Sequence, residues 1–457
     1  MDSWIADIDG STPRDIAASI ARLVTAGELA PGDRLPTVRE VATRLGVSPA
    51  TVSHAWQALA RAGLIVSRGR AGSFVRSTDA AWLPPRTQGL AGHPGESRLD
   101  LSRGTPDPLL LPGLGRALSR VSASAETSSY HDLPLIPELE RVLRAAWPSR
   151  PEAITVVDGA LDAVSRSLES VVRFGDRVVV ESPGFPPFFD LIDALGAERV
   201  PVALDEDGML PSALAAALGK RPSAVVLQPR AQNPTGASMP RDRAEELARI
   251  IRSHPNGSQL VIIEDDHSGQ ISTSPDVSLG EWLPDQVLHV RSFSKSHGPD
   301  LRIAALGGPT RLVDRIVARR MLGPGWTSRM VQRILHDLLT DGQSIDEVAE
   351  ARRQYYTRQR SLATALATWG VTPGRSDGIN TWLPISDERS ALVQLAAAGI
   401  RVAAGSAFMA TDVPGTPAFV RVTVGMIRDD AADVAAALAA AALPHPSGVH
   451  SLGARWA

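Results

Sequence analysis

Of the 47 basic residues in this 457-residue chain only two are lysines, Lys220 and Lys295. Arginine serves wherever a fixed positive charge suffices, but a guanidinium does not deprotonate, so a lysine kept against that bias is a candidate for an amine used as a nucleophile. Lys295 closes the run Ser292-Phe-Ser294-Lys295 behind an apolar stretch, and Arg302 follows seven residues later. Similar polar endings recur upstream. Ile262-Ile-Glu-Asp265 brings a carboxylate, Gln232-Asn233-Pro-Thr-Gly236 an amide in a polar turn, and Glu181-Ser-Pro-Gly-Phe185 an aromatic ring. Val157-Asp-Gly159-Ala160-Leu161 turns into a helical pattern whose first N–H groups favour an anion. Singly, each reads equally as a strand-to-helix turn, a core ring or a surface charge. As an ordered set they supply an amine to condense with an aldehyde and a carboxylate to keep a pyridine nitrogen protonated. An amide for a ring oxygen, a stacking face, and hydroxyls plus arginine for a phosphate complete the requirements of an aromatic aldehyde with a phosphate tail.

Short β-branched runs carry these groups: 154–157, 177–180, 224–227, 260–263 and 287–290, with helical periodicity between most of them. Strands apolar on both faces and separated by helices predict a mostly parallel α/β sheet, whose ligands collect at the carboxyl ends of the strands. Residues 77–99 are rich in Pro, Gly, Ser, Thr and Arg without an apolar period and read as a loose linker. This divides the chain into a head at 11–76, the linker at 77–99 and a body at 100–445.

The head carries nine arginines, no lysine and four acids, a net +5 against −8 for the remainder. A basic module on an acidic body suits a polyanion, although a solvated basic face has the same composition. Thr12-Pro13 opens a helix with Ile16, Ile20 and Leu23 at helical spacing. A second runs from Thr37 to Gly46 and a third from Ser48-Pro49 to Gly63, the pair reading as a helix-turn-helix. Ala50, Thr51, Ser53, His54 and Gln57 fall on the outer face of the third helix, where a DNA major groove would lie. Residues 64–66 and 73–75 then form a hairpin wing with Arg68 and Arg70 at its tip.

Pro31-Gly-Asp-Arg34-Leu-Pro-Thr-Val-Arg39-Glu, Leu45-Gly-Val-Ser48, Gly63-Leu-Ile and Gly72-Ser-Phe-Val together resemble the GntR family of bacterial regulators over about 65 residues. The resemblance implies that Arg34 and Arg39 contact phosphate or base edges, and that Ser48 and the start of the third helix enter the groove. Pro49 stands where that family often has arginine. Residues 100–445 resemble the fold-type-I aminotransferases, and the two halves together resemble the MocR subfamily of regulators. The resemblance implies pyridoxal 5′-phosphate as cofactor. Lys295 then forms its Schiff base, Asp265 partners the pyridine nitrogen, Asn233 the 3-oxygen, and Phe185 stacks on the ring. Gly159, Ala160, Ser292, Ser294 and Arg302 hold the phosphate. Tyr130 matches a tyrosine that reaches the phosphate from a second subunit, implying a homodimer, and Arg421 in Phe-Val-Arg421-Val-Thr matches the arginine that grips an effector carboxylate. His267 replaces the usual tyrosine beside the 3-oxygen, where an imidazole can donate a similar bond, and Leu135-Ile136 replaces a usual glycine.

Zero cysteines exclude disulfides and thiolate chemistry, and no metal-ligand pattern is evident. Met1–Gly10 carries three aspartates and no basic residue, and the longest apolar run, 434–443, is too short to span a bilayer. The expectation is a cytoplasmic protein without membrane attachment, acting as a pyridoxal-phosphate-dependent transcriptional regulator. Its partners would be duplex DNA and a small amine or amino acid, sensed by the body together with or instead of the cofactor. The competing readings are an active aminotransferase with a DNA-binding appendage and a regulator whose body no longer binds the cofactor.

Overall fold

The computed structural model describes residues 4–5, 8, 10–61, 64–67, 72–76, 83–87, 97–123, 129–411, 415 and 417–442. Arg68 and Arg70, expected at the wing tip, linker residues 77–82 and 88–96, and residues 443–445 at the expected end of the body lie outside them.

The head contains α1 (Pro13–Thr25), α2 (Val38–Leu45) and α3 (Pro49–Arg61), followed by β1 (Ile65–Ser67) and β2 (Ser73–Val75), paired antiparallel. Both early helix starts are fixed by reciprocal side-chain bonds, Thr12 with Asp15 and Thr37 with Glu40. Such boxes satisfy N–H groups that a helix cannot pair internally. Gly46 ends α2 in the left-handed conformation at φ 67°, which costs a glycine nothing sterically. Ile16, Ile20, Val41, Val52, Ala55, Leu59, Ile65 and Val75 are buried in one cluster. The Asp33–Leu35 segment adds to the wing, Val75 N–H donating to the Asp33 carbonyl and Leu35 N–H to that of Ser73.

The body is built on a seven-stranded sheet in the spatial order Ala153–Val157, Ala304–Gly308, Val287–Ser292, Val261–Asp266, Ala224–Leu227, Arg177–Glu181, Glu198–Val202. Its central strands are parallel, whereas Ala304–Gly308 runs antiparallel to both neighbours. Apolar clusters cover both faces, one around Val164, Leu168, Phe189 and Leu306, the other around Leu214, Leu247, Ile251 and Leu279. Beyond the sheet, the long helix Gly342–Ala367 leads to a three-stranded antiparallel sheet of Thr381–Ile385, Ala418–Val422 and Ala403–Ala404, packed with Ala431–Ala442.

The described part of the linker is not featureless. Arg86 pairs with Asp190 at 2.7 Å and Asp193 at 3.0 Å, and its guanidinium lies over the Phe189 ring. This anchor differs from the loose tether expected of the composition; the partners are supplied by a helix about a hundred residues away and are invisible in local sequence. Phe174 of the body in turn packs against the head's apolar cluster.

Candidate functional site

Strand register brings the expected body residues to one edge. Ser292 lies opposite Ala304, which lies opposite Val157, so the turn at Asp158-Gly159 meets the Ser292–Lys295 loop. The helix Ala160–Val171 starts there without a side-chain cap, leaving its first N–H groups available. Arg302 donates to the Asp158 carbonyl at 3.2 Å, and a Cβ on Gly159 would come within 2.7 Å of Arg302 Nη2. Gly159 at φ 108° therefore does two things, turning the chain and admitting the guanidinium. Ser292 is buried and Ser294 half-buried, the Ser294 N–H donating to the Ser292 hydroxyl at 3.3 Å.

Asp265 stands next to last in the adjacent strand, fully enclosed. Gln228 Nε2 donates to its Oδ2 at 2.8 Å, but its Oδ1 has no donor among the described residues. Burial raises this carboxyl to about 7, against the Gln228 bond. A buried oxygen without a donor costs on the order of 1–3 kcal/mol. Gln228 also receives the Asn233 N–H on its Oε1 at 2.8 Å, and its own N–H donates to Glu181, whose carboxyl burial pushes up to about 8. Gln228 and Glu181 escaped sequence reasoning. Their signal was positional, since both stand at strand ends level with Asp265.

The Lys295 amine is desolvated, although part of its stem meets solvent. Burial first, then the Arg421 charge, lower it to about 8, with Asp265 opposing. It donates to the Gly104 carbonyl. Arg421, 2% exposed, donates to Asn233 Oδ1 at 3.1 Å and to the Ser102 carbonyl, while its Nε has no hydrogen-bond partner among the described residues. Burial lowers it to about 10, partly offset by Asp100. No carboxylate among the described residues pairs with it. Ser102 and Gly104, the second group that sequence reasoning missed, act through main-chain atoms that carry no residue-type signature.

His267 departs from the expectation that it donates to a ring oxygen. Burial, then the Lys295 charge, hold it down at about 4, so it is neutral at physiological pH. Its Nε2 lies 2.8 Å from the Ala231 carbonyl, which can only accept. That fixes the proton on Nε2 and leaves Nδ1 an acceptor. Phe185 is half-buried and meets Phe188 edge-on at 5.2 Å. Tyr130 does not join these residues: it is 82% exposed and packs on Trp326. Asp266, Asp276 and His289 converge closely enough to ligate a metal. The guanidinium of Arg230 binds Asp266, that of Arg291 binds Asp276, and Glu264 holds His289, so each of these three side chains already has a partner within the protein.

In the head, Arg34, Arg39, Ser48, Ala50, His54 and Gln57 are exposed, with Thr51 and Ser53 half-buried. The Ser48 hydroxyl accepts the Thr51 N–H at 3.1 Å, capping α3 at its entry. Arg34 lies over Gly72 at the base of the wing, where a Cβ would approach its Nε to 3.1 Å.

Residues 96–438 match the family Aminotransferase class I and II, and residues 12–75 match Bacterial regulatory proteins, gntR family. The chain is 35% identical to the vitamin B6 salvage pathway transcriptional repressor PtsJ of Salmonella typhimurium, over 94% of this chain and 98% of that protein. It is 29% identical to the pyridoxine biosynthesis transcriptional regulator PdxR of Corynebacterium glutamicum, over 77% and 78%. Among solved structures, the body superposes on the α-aminoadipate aminotransferase LysN of Thermus thermophilus with a TM-score of 0.68 at 21% identity, covering 78% of this chain and 93% of that one. This likeness shows the fold. No described helix is long and apolar enough to cross a membrane. With a gntR head, an aminotransferase body and a transcriptional repressor matched over 98% of its length at 35% identity, the chain belongs to the MocR-type transcriptional regulators.

Proposed function

We propose that this protein is a cytoplasmic homodimer that binds duplex DNA through its head and pyridoxal 5′-phosphate through its body, and that its grip on DNA responds to the cofactor or to an amino compound. The unpartnered Asp265 Oδ1 carries the reading, because a protonated ring nitrogen is the donor that this buried carboxylate lacks. The open helix start at Ala160, the space kept by Gly159, and Arg302 suit a phosphate. The relatives named for vitamin B6 pathways support the same cofactor. When bound, pyridoxal phosphate supplies an aldehyde that condenses reversibly with amines and absorbs visible light.

The chain's own residues have distinct tasks in this reading. Lys295 offers an amine that is partly neutral near pH 7, as condensation requires. Gln228 orients Asp265 and fixes Asn233 in the same stroke. Arg421 holds a ligand carboxylate in place of the Ser102 carbonyl. Tyr130, exposed on this chain, reaches the phosphate of the partner subunit. Arg34, Arg39 and the α3 residues Ser48, Thr51, Ser53 and His54 face the DNA, with Arg68 and Arg70 at the wing.

The second reading, an aminotransferase with a DNA-binding appendage, draws support from the intact Arg421. His267 weighs against it, since its free nitrogen accepts where the family's tyrosine donates. One experiment separates the two: operator binding measured with and without pyridoxal phosphate and candidate amines, beside an assay for keto-acid formation. A ligand shifts DNA affinity only by its differential affinity for two arrangements of the protein. The expected outcome is a ligand-dependent operator affinity with little turnover; repeated rapid turnover with unchanged DNA binding establishes the enzyme instead.

A further inference from the structure

At the opposite end of the body's sheet lies a cavity of about 500 Å³ into which four arginines open, Arg173, Arg221, Arg311 and Arg315. It reaches Val261, the first residue of the strand that ends at Asp265-Asp266. The five steps from Val261 to Asp266 separate it from the Lys295 site by about 17 Å at roughly 3.3 Å each. All four arginines are exposed, and none has a carboxylate within ion-pair distance among the described residues. This is unusual for a chain whose arginines are paired widely elsewhere. Three are instead held through backbone carbonyls: Arg173 by Val172 at 3.0 Å, Arg311 by Asp285 at 2.7 Å and Arg315 by Ser170 at 2.8 Å. Arg221 adopts φ 54°, a conformation uncommon for a long side chain. Among the described residues no acidic side chain lines the cavity, whose remaining polar lining includes Asn256 and Gln259.

We propose that this cavity is a binding site for a small polyanion carrying two or more phosphoryl groups, of the pyrophosphate or nucleoside-diphosphate class. Carbonyl bonds orient a guanidinium without forming an ion pair, and the other N–H groups remain for phosphate oxygens. Four cations around one recess, three of them oriented in this way, exceed what a single phosphate or carboxylate needs. A recess of this size admits a small ligand, whereas the backbone of a duplex would follow an open surface. Its position matters for the rest of the molecule. Arg173 is followed in the chain by Phe174, which packs against the head's apolar cluster, so an occupant lies next to a contact between the two domains.

The test is calorimetric titration of the full-length protein with inorganic pyrophosphate in excess pyridoxal phosphate, which fills any phosphate cradle near Arg302. Wild type is expected to show saturable binding, weakened at least tenfold in Arg311→Gln/Arg315→Gln. The charge-matched control Arg352→Gln/Arg389→Gln, remote on exposed helix positions, should bind as wild type does. Near-ultraviolet circular dichroism verifies that each variant is folded, and Arg173→Gln/Arg221→Gln provides a second, independent pair. Absence of saturable binding by wild type overturns the proposal. So does equal weakening in the control, or undiminished binding in both cavity pairs. If pyrophosphate fails to bind while the cavity variants lose operator affinity, the arginines serve the DNA backbone and the small-ligand site is refuted.

Discussion

In the head, the polar bonds that start each helix join residues three apart: Thr12 with Asp15, Thr37 with Glu40, Ser48 with Thr51. Around Lys295 the bonds reach much further, 37 positions from Gln228 to Asp265 and 319 from Arg421 to Ser102. The head also has its own apolar cluster, whereas the body's site draws on the large sheet, the small sheet and the segment that follows the linker. Local bonds let a small unit assemble by itself. Long-range bonds make a site that exists only when the whole body is folded, and that collects buried groups with unfilled bonding capacity.

The sharpest way to break this contrast is at Lys295. Lys295→Ala should abolish the visible absorbance of the protein with pyridoxal phosphate, and with it any cofactor fixed by borohydride. Reduced cofactor found on Lys220 instead removes Lys295 from its role. Next in size is Ile20→Ala, which empties a fully buried position of the head and is expected to cost about 2–5 kcal/mol. Thermal unfolding should show the head's transition moving down while the cofactor band melts where it did before; a joint shift shows that the domains unfold as one.

A pH series sharpens the electrostatics of the body. With the Lys295 amine lowered to about 8, its neutral fraction grows as pH rises and saturates above that value. The rate of cofactor uptake should climb about tenfold from pH 6 to 7 and level off above 8. A rate still climbing at the same slope to pH 10, as for an exposed lysine, shows that burial does not lower this amine. The smallest effect belongs to Thr37→Ala, which removes one cap of α2 and should cost about 1 kcal/mol in the head's stability with no change in the cofactor spectrum.

The same contrast explains what was legible in the sequence. Caps, turns and apolar spacing specify the head's elements locally, and the strands Ala224–Leu227 and Val287–Ser292 declare themselves by β-branched, doubly buried runs. The strand Ala304–Gly308 does not, because it reads Ala-Ala-Leu-Gly-Gly. Its composition answers to neighbours: a Cβ on Gly307 would strike Trp147 at 2.7 Å, and one on Gly308 the Val287 carbonyl at 2.4 Å. Close packing there outweighs strand propensity. In the site, residue types with distinctive chemistry stood out, while Gln228 and the carbonyls of Ser102 and Gly104 did not. Their work depends on where folding delivers an amide or a main-chain oxygen, and pattern alone does not carry that.

Ser102 and Gly104 lie just beyond Leu99–Asp100, a strand at the body's junction with the linker, paired to Ile400–Arg401. Their carbonyls occupy the two cations that a ligand would need in the function proposed above. Arrival at the site is therefore an exchange of tenants: a carboxylate that takes Arg421 evicts the Ser102 oxygen, and a bond made at the Lys295 nitrogen evicts that of Gly104. The evicted oxygens belong to the stretch of chain that leads back toward the DNA reader. By thermodynamic reciprocity, whatever the reader's engagement does to that stretch returns to the ligand as a change in its affinity by the same factor.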